Sequence, residues 1–489
     1  MTNISVWLWI TVFVYVIFQI FTLGTRSFDG DEGVILNVVQ SSSWNEFWVR
    51  IGSDVHSPLY HILAKASVSI FGIHEWSLRL PAAAAGGLLI LLGFWLGKKI
   101  WSDKWKALVL GICLGFAPYL YYFHQEARFY SLLLLGAVIT YGALLEIIKK
   151  PNARSYIIFI IGALILVWTQ YLGWFVLGAE FIAIIIMRQW KLVSWGLIIF
   201  GLLLLSYTPF IKIAFDQFSG RLSEQGGLLI IQNIQGIISA FYRFGADRLV
   251  LGVSPGELMS SNWIKVFLFI ISLIAPVVVF IFGLGRIKKY QPWITIAWIV
   301  SILSVVVALL VSEIGSRSSR YLIYLWPFYG VILINGAWII YKKVWGKIII
   351  GLLIILWIGA LGVHVIDENR AIGARDIARY LSYEMKENDV VLVKGALAGG
   401  EKAVFNYYAA RQLTVIDYYA DYKPGELSKN RKTPEDVIKK LAEKYGAVWY
   451  YDFTYGKLDI DTLYHFVGQR NIGIDKEQKE VILYKIAGL

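Results

Sequence analysis

Eleven apolar runs divide this chain up to residue 366, at 5–23, 78–97, 107–123, 130–148, 155–172, 173–187, 192–211, 264–285, 292–311, 321–341 and 348–366. A helix needs about 20 mostly apolar residues to cross the hydrocarbon core of a bilayer. Most of these runs are that long. The stretch 155–187 is nearly continuous, with Gly173 as its turn, and one re-entrant element there is the alternative to two spans. Only 16% of residues are charged, against about 25% in soluble domains. The chain must hide most of its length from water. The pattern predicts a polytopic α-helical membrane protein with about 11 transmembrane helices. The first run has no basic segment before it and no small-residue cleavage site after it, so it reads as a retained span.

Charge distribution sets the orientation and excludes one class of partner. The net charge is +12, but from Asp367 onward the chain carries 19 Lys+Arg and 19 Asp+Glu. The whole excess therefore lies among the spans, which argues against nucleic acid. Five short loops hold 15 basic residues: Lys98, Lys99, Lys104 and Lys106; Lys149, Lys150 and Arg154; Arg188 and Lys191; Arg286, Lys288 and Lys289; Lys342, Lys343 and Lys347. The opposite face carries acids, among them Asp29, Asp31, Glu32, Asp54, Glu126 and Glu313. By the positive-inside rule the N-terminus is cytoplasmic and the acidic loops and the tail lie outside. Cys113 is the one cysteine, so no disulfide can form within the chain.

Two domains follow: residues 1–366 as the membrane domain, and 367–489 as a small extracytoplasmic α/β domain. The first long outer loop, 24–77, reads as two short helices at the interface. Val34, Ile35, Val38 and Val39, then Trp44, Phe47 and Trp48, supply the apolar face of the first. Ser57-Pro58 opens the second, as cap and first-turn proline. In the tail, β-rich runs at Val390–Val393, Leu413–Tyr419, Ala447–Phe453 and Val481–Ile486 alternate with helical patterns, the clearest starting at Thr433-Pro434-Glu435-Asp436. This alternation predicts a mostly parallel sheet. Gly399-Gly400 alone is no phosphate-binding fingerprint.

Four polar clusters fall on the predicted outer face. Asp29-Gly30-Asp31-Glu32 offers three carboxylates for a general base or an oxygen-ligand metal site; a solvated acidic turn is the plain alternative. Asp54-Val55-His56-Ser57-Pro58-Leu59-Tyr60 places a histidine before a helix start, where it can bind phosphate, donate a proton or ligate metal, or be inert. Gln125-Glu126-Ala127-Arg128-Phe129-Tyr130 ends the third span, where Arg and Tyr also serve as interfacial anchors. Ser316-Arg317-Ser318-Ser319-Arg320-Tyr321 precedes the tenth, and its arginines match either a lipid phosphate or anionic headgroups. Glu180, inside the sixth run, is either a functional polar site or a sign that the boundary between runs five and six is misplaced.

Taken in order, these segments resemble the GT-C membrane glycosyltransferases of glycosyltransferase family 39 type, which include relatives of the protein O-mannosyltransferases and of the lipid A aminoarabinose transferases. The matching residues are Asp31-Glu32, Asp54-x-His56-x-Pro58-Leu59-Tyr60, Phe71-Gly72, Trp76-Ser77-Leu78-Arg79-Leu80-Pro81, Gln125 to Ser131, and Arg320-Tyr321-Leu322 with Pro327. Val34 stands where the aminoarabinose transferases carry an arginine, and Ser57-Pro58 where they carry two prolines.

The resemblance implies transfer of a sugar from a polyprenyl-phosphate-linked donor to an extracytoplasmic lipid, glycan or protein acceptor, with inversion, at the cytoplasmic membrane. It places the catalytic role on Asp31 with Glu32 beside it. Arg128, Arg320, His56 and Tyr130 become candidates for the donor phosphate, and Asp29, Asp54, Tyr60, Arg79, Glu126 and Tyr321 for the lining of the site. A divalent metal stays open, and no other cofactor is implied. The main rival is a transporter or flippase of a lipid-linked glycan, which calls for broken, polar helices at midmembrane depth and paired inverted repeats. A scaffold whose tail binds a partner, and a glycan polymerase or ligase using a diphosphate-linked donor, are the others.

Overall fold

A computed structural model describes residues 3–52, 54, 56–215, 237–238, 240–245, 263–285, 292–310, 319–370, 374–394, 400–418, 434–452, 472–478 and 481–487. Val55, Arg286, Lys288, Lys289, Glu313, Ser316, Arg317, Ser318, Gly399, Thr433 and most of the loop 212–263 lie outside them. The described residues form two compact units. The first comprises Met1–Leu23, Val55–Leu63 and Arg79–Glu368; the second comprises Gly24–Asp54, Ala64–Leu78 and Asn369–Leu489.

The first unit is helical. Its elements are α1 (Ile4–Thr22), the start of α4 (Leu59–Phe71), most of α5 (Glu75–Ile100), α6 (Lys104–Phe116), α7 (Pro118–His124), α8 (Tyr130–Lys149), α9 (Ala153–Thr169), α10 (Leu172–Ile186), α11 (Trp190–Tyr207), α12 (Trp263–Leu284), α13 (Trp293–Leu310), α14 (Trp326–Ile340) and α15 (Val344–Arg370). Among the described residues six helices are long and apolar enough to cross a membrane: Ile4–Thr22, Glu75–Ile100, Tyr130–Lys149, Trp190–Phe215, Arg320–Ile340 and Val344–Val365. The protein is an integral membrane protein. Every apolar run of the sequence has a helix over it, but α9, with 17 residues, and α10, with 15, are shorter than a full span.

Two runs are broken, each for a local reason. Ala117 precedes Pro118, and the residue before a proline is pushed out of the helical region. Ala117 is extended (ψ 128°), α7 begins with the proline at its first position, and the two halves bend by 53°. In 155–187 the turn falls on Gln170, which is extended (φ −159°, ψ 145°), and not on Gly173. Gly173 instead lies close against Leu166 in the first turn of α10. Glu180 lies within α10, fully buried, and accepts a hydrogen bond from Thr140 Oγ1 at 2.7 Å. Two helices joined at a polar break occupy the run.

Burial ranks the spans. In α8, 89% of the apolar window is buried, against 17% in α1 and 22% in α15. Thus α8 is the centre of the unit, while α1 and α15 turn apolar side chains outward. Close helix approach depends on small residues: a Cβ on Gly136 of α8 would lie 2.9 Å from Leu166 Cγ of α9.

The second unit combines α2 (Gly30–Val39), α3 (Trp44–Gly52), the rest of α4 and the first turn of α5 with the tail. The tail contributes α16 (Ala374–Glu384), β1 (Val390–Lys394), α17 (Gly400–Tyr408), β2 (Val415–Asp417), α18 (Pro434–Ala442), β3 (Ala447–Asp452), β4 (Ile472–Gln478) and β5 (Val481–Ala487). The expected single helix over 34–48 is two, because Ser41–Ser43 interrupt it. Ser42 donates through N and Oγ to Glu46 Oε2, both at 2.7 Å, and Ser43 Oγ accepts from Glu46 N. The apolar face expected to lie in the interface is packed inside the protein: Ile35, Val38, Val39 and Phe47 are buried, and Trp44 is exposed. Ser57 does not cap α4; its hydroxyl shares a 2.9 Å hydrogen bond with Tyr207. Gly72, at φ 78°, makes the turn from α4 to α5.

The sheet order is β2-β1-β3-β5-β4. β1 runs parallel to β2 and β3, while β5 is antiparallel to both β3 and β4. The expected mostly parallel sheet is therefore mixed. Only two of its four pairings are parallel, because β4 and β5 add an antiparallel ribbon. Val390, Leu392, Val448, Tyr450 and Ile486 form its core with Val437, Ile438 and Leu441 of α18.

Candidate functional site

In the first unit, a largely buried cation–aromatic cluster, with Arg320 and Tyr321 half-buried, gathers residues that lie far apart in the chain. His56 is 2% exposed, and its Nε2 lies 2.9 Å from Arg128 Nη2. Its Nδ1 lies 2.9 Å from Gln170 Nε2. The imidazole packs on Phe129 with ring centroids 4.4 Å apart. Tyr321 stacks on Phe129 at 6.1 Å and meets Tyr130 edge-on at 6.2 Å. Arg320 lies over both tyrosines, 5.6 Å from Tyr130 and 5.8 Å from Tyr321, at cation–π range. His56, Arg128, Tyr130, Arg320 and Tyr321 are thus brought together, although their motifs span 265 positions of sequence.

Local folding explains the assembly. After α7 ends at His124, the tight turn 125–129 is closed by Arg128 N–H donating to Glu126 O at 2.7 Å. That turn carries Arg128 and Phe129 to the start of α8. A 3-10 stretch, Ser319–Leu325, carries Arg320 and Tyr321 into α14. Two guanidinium groups and an imidazole within an aromatic shell suit a phosphate, whose oxygens accept charge-assisted hydrogen bonds.

Other candidates lie elsewhere in the two units. Arg79 is buried, and its Nη1 donates at 3.0 Å to Leu23 O, the C-cap of α1. It fastens a helix end, where cations are favoured. Tyr60 and Glu126 are buried in the first unit, and Asp54 in the second.

The three early carboxylates in the second unit play separate roles. Asp29 caps α2, accepting from Glu32 N–H at 2.8 Å, while Glu32 Oε2 accepts from Asp29 N–H at 3.3 Å. Glu32 is fully buried and also pairs with Arg26 at 3.7 Å. Asp31 is partly exposed. Among the described residues no three His, Cys, Asp or Glu side chains are grouped to hold a metal ion. With Asp29 and Glu32 tied into the cap, this turn does not fit one.

Desolvation first, then Glu32, pushes the Asp29 carboxyl up to about 6, with Arg26 opposing and Asp31 adding to the rise. The folded state therefore binds a proton that the unfolded chain releases near pH 4. This group's contribution to stability is fully present below about pH 4 and is lost as pH rises through 6. Asparagine caps as well as aspartate, so Asp29→Asn is expected to flatten the stability profile between pH 4 and 7. Thermal unfolding at unit pH steps checks it; an unchanged slope would reassign the effect to another group.

The turn is held from the tail. Tyr408 OH accepts from Phe28 N–H at 2.8 Å and donates to Glu75 Oε1 at 3.0 Å, and Arg375 pairs with the same oxygen at 2.5 Å. Phe28 packs on Tyr407 and Tyr408. No sequence motif marks this network, nor Gln170 and Tyr207. A glutamine inside an apolar run is the one available signal for Gln170.

No protein-family model matches the chain, and no curated protein is similar enough in sequence to match it. Its fold does have close counterparts. Crystal structures of ArnT from Cupriavidus metallidurans, apo and bound to undecaprenyl phosphate, align over 98% of both chains, with TM-scores of 0.62 and 0.60 at 12% and 13% identity. The Archaeoglobus fulgidus oligosaccharyltransferase, in complex with Zn and sulfate, aligns with 91% of this chain and 67% of its own, at a TM-score of 0.50 and 13% identity. The chain has the fold of the GT-C membrane transferases.

Proposed function

We propose that this protein is an integral membrane glycosyltransferase that moves a sugar from a polyprenyl-phosphate-linked donor to an extracytoplasmic lipid, glycan or protein acceptor, with inversion. The observation that carries the proposal is the cluster of buried His56 and Arg128 with half-buried Arg320 within an aromatic shell. The leaving group in such a transfer is a lipid phosphate, and its growing charge calls for preorganised donors. Asp31 is the base that takes the proton of the attacking hydroxyl as the new bond forms. The GT-C fold and the ArnT structure bound to undecaprenyl phosphate support this reading. The placement of the N-terminus in the cytoplasm, and of residues 24–77 and 367–489 outside, rests on the basic short loops.

The test is sugar release from polyprenyl-phosphate sugars by the purified protein, with and without chelator. Arg128→Lys keeps the charge but loses the planar fork of donors, and is expected to lower kcat about 100-fold, as removal of one oxyanion donor does. Transfer at the wild-type rate would remove Arg128 from the donor site. Binding of donor without transfer to any acceptor would favour a flippase of lipid-linked glycans.

A further inference from the structure

We propose that His124 is a positioning residue: it takes the place of the N–H that Pro118 lacks and, through Ser131, braces the turn that carries Arg128 and Phe129 to His56. That this turn serves a phosphate rests on the function proposed above; the bracing itself does not.

The helical ladder of α6 runs out at a proline. Ala117 N–H donates to Cys113 O at 2.8 Å, and the next donor in register, for Leu114 O, would be the N–H of residue 118. Proline has none. His124 Nε2 lies 2.9 Å from Leu114 O instead. A carbonyl oxygen only accepts, so Nε2 carries a proton, and the ring supplies the bond that Pro118 cannot. In the neutral imidazole the other nitrogen then holds a lone pair. That nitrogen, Nδ1, lies 2.8 Å from Ser131 Oγ, whose hydroxyl is the donor. The same hydroxyl lies 2.9 Å from Phe123 O.

His124 and Ser131 stand on either side of the turn 125–129. Their bond closes its base, and Leu114 ties that base to α6. The imidazole is fully buried and tightly lodged. A Cβ on Gly86 of α5 would lie 2.6 Å from His124 Cγ, and Tyr15 of α1 meets the ring edge-on at 6.1 Å. One side chain thus joins α1, α5, α6 and α8 where the broken span turns back. Its hydrogen bonds go to Leu114 and Ser131, so it acts on the cluster through the turn. Arg128 and Phe129, which meet His56 at 2.9 and 4.4 Å, take their position from that base.

The experiment is 15N spectroscopy of the full-length protein in nanodiscs, labelled at its six histidines, with His56 and His124 assigned by His56→Gln and His124→Gln. Protonated and bare ring nitrogens resonate far apart. Wild-type His124 is expected to be protonated on Nε2 and bare on Nδ1. His124→Phe keeps a ring but loses both bonds. It is expected to shift the His56 resonances and to weaken binding of undecaprenyl phosphate about 10-fold or more, the value of one hydrogen bond to a charged group. His124→Gln loses the ring but keeps a donor for Leu114 O, and is expected to restore the His56 resonances and most of the binding. A ring that only fills space would give the opposite order. His56 resonances unmoved by His124→Phe, or moved as far by His124→Gln, overturn the positioning role. A bare Nε2 on wild-type His124 overturns the bond to Leu114, whether or not either variant folds. Shifted His56 resonances with undiminished binding of undecaprenyl phosphate overturn the phosphate reading of the cluster and leave the bracing of the turn standing.

Discussion

Asp31→Asn is expected to lower glycosyl transfer about 100- to 10,000-fold, the range of a general base, in a protein that remains folded. The carboxylates at the start of α2 divide the work. Asp29 is the N-cap, and Glu32 closes the capping box and pairs with Arg26. Asp31 lies in the first turn and is partly exposed, and it is the base in the function proposed above. Losing its charge from the helix start costs only about 0.5 kcal/mol. Glu32→Gln should do the reverse and act mainly on stability, since it puts a neutral amide where a buried carboxylate accepts from Asp29 N–H and pairs with Arg26. Comparing transfer rates with thermal unfolding for both variants separates the roles. Full activity in Asp31→Asn would leave the reaction without its base.

Gly400→Val is expected to destabilise the second unit by about 3 kcal/mol, at the upper end of the usual cost of overpacking. α2 and α17 cross through Gly33 and Gly400. A Cβ on Gly400 would overlap the carbonyl oxygen of Gly30 and lie 3.1 Å from both Val34 N and Val34 Cγ2; one on Gly33 would overlap the carbonyl of Gly400. The obstruction is backbone, so no rotamer change relieves it, and the helices must part. Asp31 rides on α2, so transfer should fall together with protection of the tail from protease. An intact, active Gly400→Val protein would mean that the two helices tolerate separation.

The parts of this fold governed by chain-local physics were legible in the residues. Run length and charge found each apolar helix, and Val390–Val393 and Ala447–Phe453 found β1 and β3. β4 escaped notice because Ile472–Gln478 carries Asp475, Lys476 and Glu477; it is a strand through its pairing with β5. The mixed sheet order depends on the same non-local pairing. Asp31, His56, Arg128 and Arg320 could be marked one motif at a time. That His56, Arg128 and Arg320 share one site followed from the resemblance and the common face; what could not be read was the geometry that joins them. It is built by the turn at 125–129 and the 3-10 stretch at 319–325, together with the Gln170 break. Nor could sequence show that Glu32 closes the α2 cap, because that contact depends on how the helix starts.

The bond from Phe28 N–H to Tyr408 joins residues 380 positions apart, and this has a consequence for biogenesis. The ribosome delivers α17, which packs on α2, about 370 residues after Asp31. At about 5–20 residues per second, the α2 segment waits on the order of 20–80 s for its partner. Throughout that interval a nascent chain already threaded into the bilayer has no finished α2 platform. Long-range closure of this kind is slow, so the contact between α2 and α17 closes only after the tail has been made.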